Sequence, residues 1–170
     1  AADNGSQGME LWKSDGTAGG TVLVKDIRTG KAGSWPGLLT EVGGTHYFQA
    51  DDGESGMELW KSDGTAEGTS LVKEMETYPI IAGDGVVYFD GIEPSTGREL
   101  WKTDGTPEGT VMIADMNPGP AGSRRGPTIA APPAAPVAEI NGRLYFGADD
   151  GFHGYQMWQL PVDSETLAVP

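Results

Sequence analysis

Short apolar runs alternate with polar residues along the chain, and each run ends at a turn that contains glycine, aspartate or asparagine. One run, HYFQADD, begins at His46, and a related run, LYFGADD, begins at Leu144. Aromatic and β-branched residues in such short stretches are typical of half-buried strands. The pattern therefore predicts an all-β protein made of short strands joined by tight turns.

A fourteen-residue segment with the pattern GMELWKSDGTxxGT occurs at residues 8–21, 56–69 and 97–110. The first two copies are identical at 13 of 14 positions, and the third matches the second at 11 of 14. A degenerate fourth copy begins at Gly154. The tryptophans that anchor the four copies lie 48, 41 and 57 residues apart: Trp12, Trp60, Trp101 and Trp158. This spacing is typical of propeller blades and too uneven for a solenoid.

We interpret each copy as part of a four-stranded antiparallel unit, and residues 1–170 as one propeller-like domain of about four units. In the second unit, for example, the third strand is predicted at 69–75 and the fourth at 79–85. About fourteen strands are expected where a four-bladed ring needs sixteen. Either the ends are irregular, or the chain is part of a larger ring, or another chain completes it. The proline- and glycine-rich residues 117–136 are interpreted as a loop inserted within one blade, with a domain linker as the alternative.

Composition narrows the classes of partner. Glycine (27 residues) and proline (12) indicate many turns, and 25 acidic against 11 basic side chains give a net charge of −14. This charge disfavours nucleic acid and anionic membranes and suits a secreted protein, a cation-binding surface or a face for a basic partner. The absence of cysteine excludes disulfides and thiolate metal sites. No apolar run is long enough to span a membrane, and the start at Ala1 suggests processing or an excised fragment.

The ELWKSDGT segments resemble the ELWxxDGT repeat family of large, mostly bacterial proteins. The resemblance covers nearly the whole chain outside the proline-rich loop, although the fourth copy has lost the DGT. It implies propeller architecture and an extracytoplasmic location, with no general activity. Residues 95–105 are also similar, more loosely, to the tryptophan-docking repeats of quinoprotein propellers. This similarity supports a propeller without implying a quinone cofactor. The repeat residues given a structural role are the four tryptophans with Asp15, Asp63 and Asp104.

The recurring tryptophans fit packing between blades better than stacking on sugar rings. The unrepeated Trp35, in a loop, is a better candidate contact residue. Arg124 and Arg125 form a small basic point, for which the alternatives are a docking site, a protease-sensitive site or a merely solvated pair of charges.

Paired acidic residues suggest a calcium site. Asp51, Asp52, Asp149 and Asp150 offer carboxylate oxygens in Asp-Asp-Gly turns. Asp-Gly is also a favoured turn sequence, and the complete calcium-loop motif is absent, so turn formation is the alternative. Apart from calcium, no cofactor is expected.

Catalytic signals are weak. His46 and His153 have no partnering motif. The recurring Glu10, Glu58 and Glu99 fit a repeated structural hydrogen bond better than a carboxylate pair for glycoside cleavage. We expect a non-enzymatic extracytoplasmic module that contacts protein or glycan within a surface or larger assembly. A propeller glycosidase or lyase and a calcium-dependent adhesin are the alternatives.

Overall fold

The computed structural model describes residues 1–83, 85–124 and 137–162. Every regular element in these ranges is a β-strand, and the strand pairings described below are antiparallel. The all-β prediction is therefore confirmed. Since the described residues form no helix, no helix among them is long and apolar enough to cross a membrane.

The chain divides into two compact units, Ala1–Ile80 (unit 1) and Ile81–Pro170 (unit 2). In unit 1, β1, β2 and β3 form one sheet in that order, and β4, β5, β6 and β7 are neighbours in a second. The unit 1 strands are β1 Ala2–Asp3, β2 Met9–Lys13, β3 Val22–Lys25, β4 Gly37–Val42, β5 Thr45–Ala50, β6 Glu58–Ser62 and β7 Ser70–Ala82, whose last two residues belong to unit 2.

In unit 2, β8, β9 and β10 are neighbours in that order, and β11, β12 and β13 form a three-stranded sheet. The number of neighbouring strands thus varies between the repeats, and a uniform four-stranded blade is not confirmed. The unit 2 strands are β8 Val87–Glu93, β9 Gly97–Thr103, β10 Val111–Ala114, β11 Ala138–Ile140, β12 Arg143–Asp149 and β13 Tyr155–Pro161.

Strand β7 replaces two predicted strands, because the expected break between residues 75 and 79 does not occur. The backbone N–H of Thr77 donates to the carbonyl of Met57 at 2.8 Å, so the chain stays beside β6. In the first repeat the chain turns away after β3 through Gly30 and Gly33, at φ values of 101° and 72°. Residues 70–82 contain no glycine that would allow such a turn.

The three DGT turns share one set of hydrogen bonds. In the second repeat, Oδ1 of Asp63 accepts from the backbone N–H and the hydroxyl of Thr65, at 2.8 and 2.7 Å. The hydroxyl of Thr65 then accepts from the backbone N–H of Gly68 at 2.9 Å. These bonds keep the pKa of Asp63 below its usual value. The corresponding bonds in the first and third repeats involve Asp15, Thr17 and Gly20, and Asp104, Thr106 and Gly109.

Each unit has its own apolar core. In unit 1 the core lies between the two sheets and includes Phe48, Ala50 and Trp60. In unit 2, Phe146 and Ala148 of β12 pack with Leu100 of β9. Trp60 and Trp101 are buried, and the ring of Trp101 stacks on Phe89 with centroids 6.4 Å apart. Trp12 and Trp158 are half-buried.

Candidate functional site

The recurring glutamate in the first repeat is a fully buried anchor for the loop that follows β3. Its carboxylate accepts hydrogen bonds from the backbone N–H groups of Ile27 (2.9 Å) and Arg28 (3.3 Å). Ser34 adds two more, from its backbone N–H at 2.9 Å and its hydroxyl at 2.5 Å. The carbonyl of Ser34 accepts from the backbone N–H of Asp51 at 2.8 Å. Glu10 thus fixes a loop that joins the first repeat to the second.

Glu99 has the same role in unit 2. Its carboxylate accepts the backbone N–H of Ser123 at 2.6 Å and also the Ser123 hydroxyl. The carbonyl of Ser123 accepts from the backbone N–H of Asp149 at 2.9 Å. Burial raises the pKa of Glu99 to about 7, although the bonds from Ser123 act in the opposite direction.

Glu58 lacks this arrangement. It is fully buried, and neither carboxylate oxygen makes a hydrogen bond of ordinary geometry to a described residue, although the neighbouring Trp60 side chain acts to lower its pKa. Burial, followed by the negative charge of Asp52, raises its pKa to about 7. The sequence explains why Glu58 has no serine partner. Trp12 and Trp60 are 48 residues apart, whereas Trp60 and Trp101 are 41 apart, so the second repeat is seven residues shorter. The missing residues correspond to the loop that supplies the serine.

The aspartates predicted to bind calcium are used in turns. Asp51 pairs with Arg28 and accepts from the backbone N–H of Gly53, and Asp52 accepts from the backbone N–H of Glu54. In the part of the chain that the structure describes, no group of three or more His, Cys, Asp or Glu side chains could hold a metal ion. Calcium binding remains a prediction.

The corresponding turn in unit 2 contains a carboxylate–histidine pair. Asp149 accepts from the backbone N–H of Gly151. Asp150 bonds to Nδ1 of His153 at 2.6 Å and accepts two backbone N–H groups of its own turn. The bonds from His153 lower the pKa of Asp150 to about 2, and the same pair raises the pKa of His153.

The predicted contact residues differ in their exposure to solvent. Trp35 is exposed over 59% of its surface and has a positive φ of 53°. Arg124 is not at the surface: its buried guanidinium pairs with Asp90 at 2.7 Å and donates to the carbonyl of Gly147. A basic docking point at Arg124 is therefore wrong, because the charge is already used inside unit 2. Arg125 lies outside the described residues.

Arg98, which the sequence analysis did not single out, also pairs with Asp90, at 2.9 Å. Both residues are buried. The available signal was a change of residue type within the repeat, since Arg98 stands where Met9 and Met57 stand in the other copies.

Unit 1 contains an open cavity of about 310 Å³ between its two sheets. Two of its polar side chains are hydrogen-bonded within the chain. The Lys13 ammonium donates to the carbonyl of Gly64 at 2.8 Å, and the Ser62 hydroxyl bonds to that of Thr69 at 2.7 Å. The walls are predominantly apolar and include Leu11, Trp12, Val24, Leu39 and Phe48, with His46 as a further polar residue.

The cavity adjoins the edge strand β4, which carries two exposed leucines. Leu38 and Leu39 are exposed over 55% and 54% of their surfaces, and Leu39 lines the cavity whereas Leu38 does not. The pairing of β4 with β5 shifts register between Gly37 and Thr40, and Leu38 has a positive φ of 54°. A bulge at an edge strand redirects side chains, so this irregularity accounts for adjacent leucines that both remain exposed.

Unit 2 contains a cleft of about 320 Å³ near the Asp150 turn. The described side chains that line it are aromatic, apolar and acidic, and none of them is basic. Its lining residues are Asp115, Met116, Pro118, Asp150, Phe152 and Trp158.

Comparison of this chain with protein-family models, curated protein sequences and solved structures found no significant match.

Proposed function

We propose that this chain is a non-enzymatic binding module of an extracytoplasmic or surface assembly, built on propeller-type repeats, and that unit 1 docks a protein partner. The ELWxxDGT resemblance and the recurring turn bonds support the repeat architecture. The antiparallel all-β sheets are compatible with such a fold. The docking function rests on one observation: an open apolar cavity lies beside exposed leucines on an edge strand.

The chemistry of the cavity favours a protein over a glycan. Sugar recognition needs several polar groups that are free to bond hydroxyls, whereas Lys13 and Ser62 are already hydrogen-bonded within the chain. An apolar side chain entering the cavity would instead cover Leu11, Val24 and Phe48, and burying such surface is favourable. The net charge of −14 would attract a partner with a basic surface.

The proposal is tested by NMR titration of the ¹⁵N-labelled chain with Nα-acetyl-leucine amide and, separately, with cellobiose. We expect saturable shifts of the Leu39 and His46 amides and of the Trp12 indole N–H with the leucine probe alone. Shifts with cellobiose alone would favour a glycan partner and overturn the protein assignment.

Leu39 and Leu38 provide matched variants, because they are equally exposed neighbours and one of them lines the cavity. Leu39→Ala is expected to weaken binding of the leucine probe about three- to tenfold, the loss of one partly buried leucine contact. Leu38→Ala is expected to leave it unchanged. Equal effects of the two variants would contradict docking in the cavity.

A further inference from the structure

The cleft in unit 2 has the composition of a site for an organic cation. Phe152 is exposed over 90% of its surface, which is unusual for a phenylalanine in a folded unit. Trp158 is half-buried, and its indole N–H donates to the carbonyl of Ala148 at 3.2 Å, which holds the ring in place. Aromatic rings beside carboxylates attract cations through the ring quadrupole and through charge.

The two carboxylates of the cleft are in different states. Oδ1 of Asp115 is buried and has no hydrogen-bond partner among the described residues. Asp150 is already bonded to the His153 imidazole and to its own turn. A buried carboxylate oxygen without a donor is costly, and a charged donor would compensate it. Of the two cleft carboxylates, Asp115 is therefore the one that an added charged donor would stabilise more.

Unit 1 has an arginine at the repeat position that Asn117 occupies beside the cleft in unit 2. Arg28 follows Thr17 by eleven residues, as Asn117 follows Thr106 in unit 2. The Arg28 side chain lies over Gly53, where an added Cβ would be 3.1 Å from its Nε, and it pairs with Asp51. Asn117 lies over Gly151 in the same manner, with Oδ1 2.5 Å from an added Cβ. Unit 2 thus has a neutral amide where unit 1 has a guanidinium.

We propose that the cleft formed by Asp115, Met116, Pro118, Asp150, Phe152 and Trp158 binds an arginine side chain of a basic partner protein. Guanidinium groups stack on aromatic faces and donate to carboxylates at the same time, which suits a cleft with both features. The overall charge of −14 favours the approach of such a partner. This site does not involve the unit 1 cavity, and its test needs no protein partner, so either proposal can fail alone.

The test is a titration of the ¹⁵N-labelled chain with Nα-acetyl-arginine amide, followed at the Trp158 indole N–H. Nα-acetyl-citrulline amide is the matched probe, since its ureido group has nearly the same shape as guanidinium and no charge. Work at alkaline pH keeps His153 neutral and so removes its positive charge from beside Asp150. We expect saturable binding of the arginine probe and binding of the citrulline probe that is about tenfold weaker, the size of a charge-assisted hydrogen bond. Equal binding of both probes would overturn the proposal.

Variants separate the contributions. Asp115→Asn is expected to weaken arginine binding about tenfold without affecting the citrulline probe, because only the charge changes. Phe152→Ala is expected to weaken it about two- to fivefold, as for an exposed cation–π contact. If Asp115→Asn binds arginine as the wild type does, the site is not the one proposed.

Asn117 offers a control in which a positive charge is added beside the cleft. Asn117→Arg would introduce the guanidinium that unit 1 carries at Arg28, and it is expected to weaken binding of the added arginine probe because it places a positive charge beside the cleft. Asn117→Gln, which is also longer but neutral, is expected to retain binding. Loss of binding in both variants would indicate steric blockage and contradict a cation site. The salt dependence of the wild type is a second readout that needs no variant: high salt should weaken the arginine probe alone.

Discussion

Ser34 donates both its backbone N–H and its hydroxyl to the carboxylate of Glu10, twenty-four residues away and fully buried. Ser123 and Glu99 have the same relationship in unit 2. A hydrogen bond to a charged group contributes about 1.5–3 kcal/mol. The serine–glutamate pair is therefore a main attachment of the loop that follows the third strand of each of these repeats.

Ser34→Ala is expected to lower the free energy of unfolding by about 1.5–3 kcal/mol, because it removes the hydroxyl donor from a buried carboxylate. Urea denaturation followed by tryptophan fluorescence measures the change. Ser55→Ala, whose hydroxyl makes a single long contact of 3.4 Å to Glu74, is the control and should have little effect. A loss of similar size in both variants would contradict the assigned role of Ser34.

Glu58→Gln is expected to stabilise the protein at alkaline pH. The pKa of Glu58 is about 7 in the folded state against an ordinary value of 4.5, so the folded chain holds a proton that the unfolded chain releases. Stability therefore falls as pH rises from about 4.5 to about 7, and the full cost is present above that window. The cost is about 1–3 kcal/mol, and the variant removes it.

Urea midpoints measured on both sides of this pH window test the effect. Glu99 is the matched control, because its pKa is also about 7 but Ser123 bonds both of its oxygens. Glu99→Gln should destabilise the protein, since an amide has one acceptor where two donors converge. Glu99 titrates in the same window, so part of the pH dependence should survive in Glu58→Gln. An unchanged pH dependence in Glu58→Gln would refute the assignment.

Gly8→Ala should be more harmful than Gly56→Ala, although both glycines have positive φ values, of 72° and 91°. An added Cβ at Gly8 would lie 2.6 Å from the backbone nitrogen of Gly33, whereas at Gly56 nothing lies within 4 Å. In both variants the left-handed backbone lowers the free energy of unfolding by about 1–2 kcal/mol. In Gly8→Ala the clash lowers it by about 1–3 kcal/mol more. The comparison of their melting temperatures decides this, and equal losses would show that the loop does not pack on Gly8.

Asp90→Asn is expected to lower the free energy of unfolding by about 3–5 kcal/mol, because it leaves the buried Arg98 and Arg124 without their carboxylate. The double variant Asp90→Gln with Arg98→Met restores the residues that the second repeat has at these positions, Gln49 and Met57. It should recover part of the loss in the same denaturation assay. A double variant less stable than Asp90→Asn would argue against the charge explanation.

Local features of this fold could be predicted from the sequence, because their causes lie within a few residues. The DGT turn is one of them: Asp63 bonds to Thr65, two positions away, and the pattern of glycine and threonine specifies that geometry. The all-β class likewise follows from short apolar runs. The merging of two predicted strands into β7 depends on Thr77 and Met57, which are distant in sequence, so periodicity gave no signal for it.

The candidate site residues were harder to predict for the same reason. Arg124 is an exposed residue by composition, and its burial depends on Asp90, thirty-four positions earlier. The isolation of Glu58 had a sequence signal in the seven-residue shortening of the second repeat. This shortening can be interpreted only when the hydrogen bond between Ser34 and Glu10 is known. The unit 1 cavity and the unit 2 cleft are lined by side chains from separate strands and turns, and their proximity cannot be predicted from a single sequence.

The Ser34–Glu10 bond also determines where the repeats can be divided. A segment from Gly8 to Ser55 contains both Glu10 and Ser34. A segment of the same kind from Asp15 to Ser62 contains Ser34 but not Glu10, so Ser34 loses the glutamate of its own repeat. Duplication or recombination of this repeat therefore preserves the pair only if the boundary lies before the ELW motif. A boundary at the DGT turn would separate the two residues.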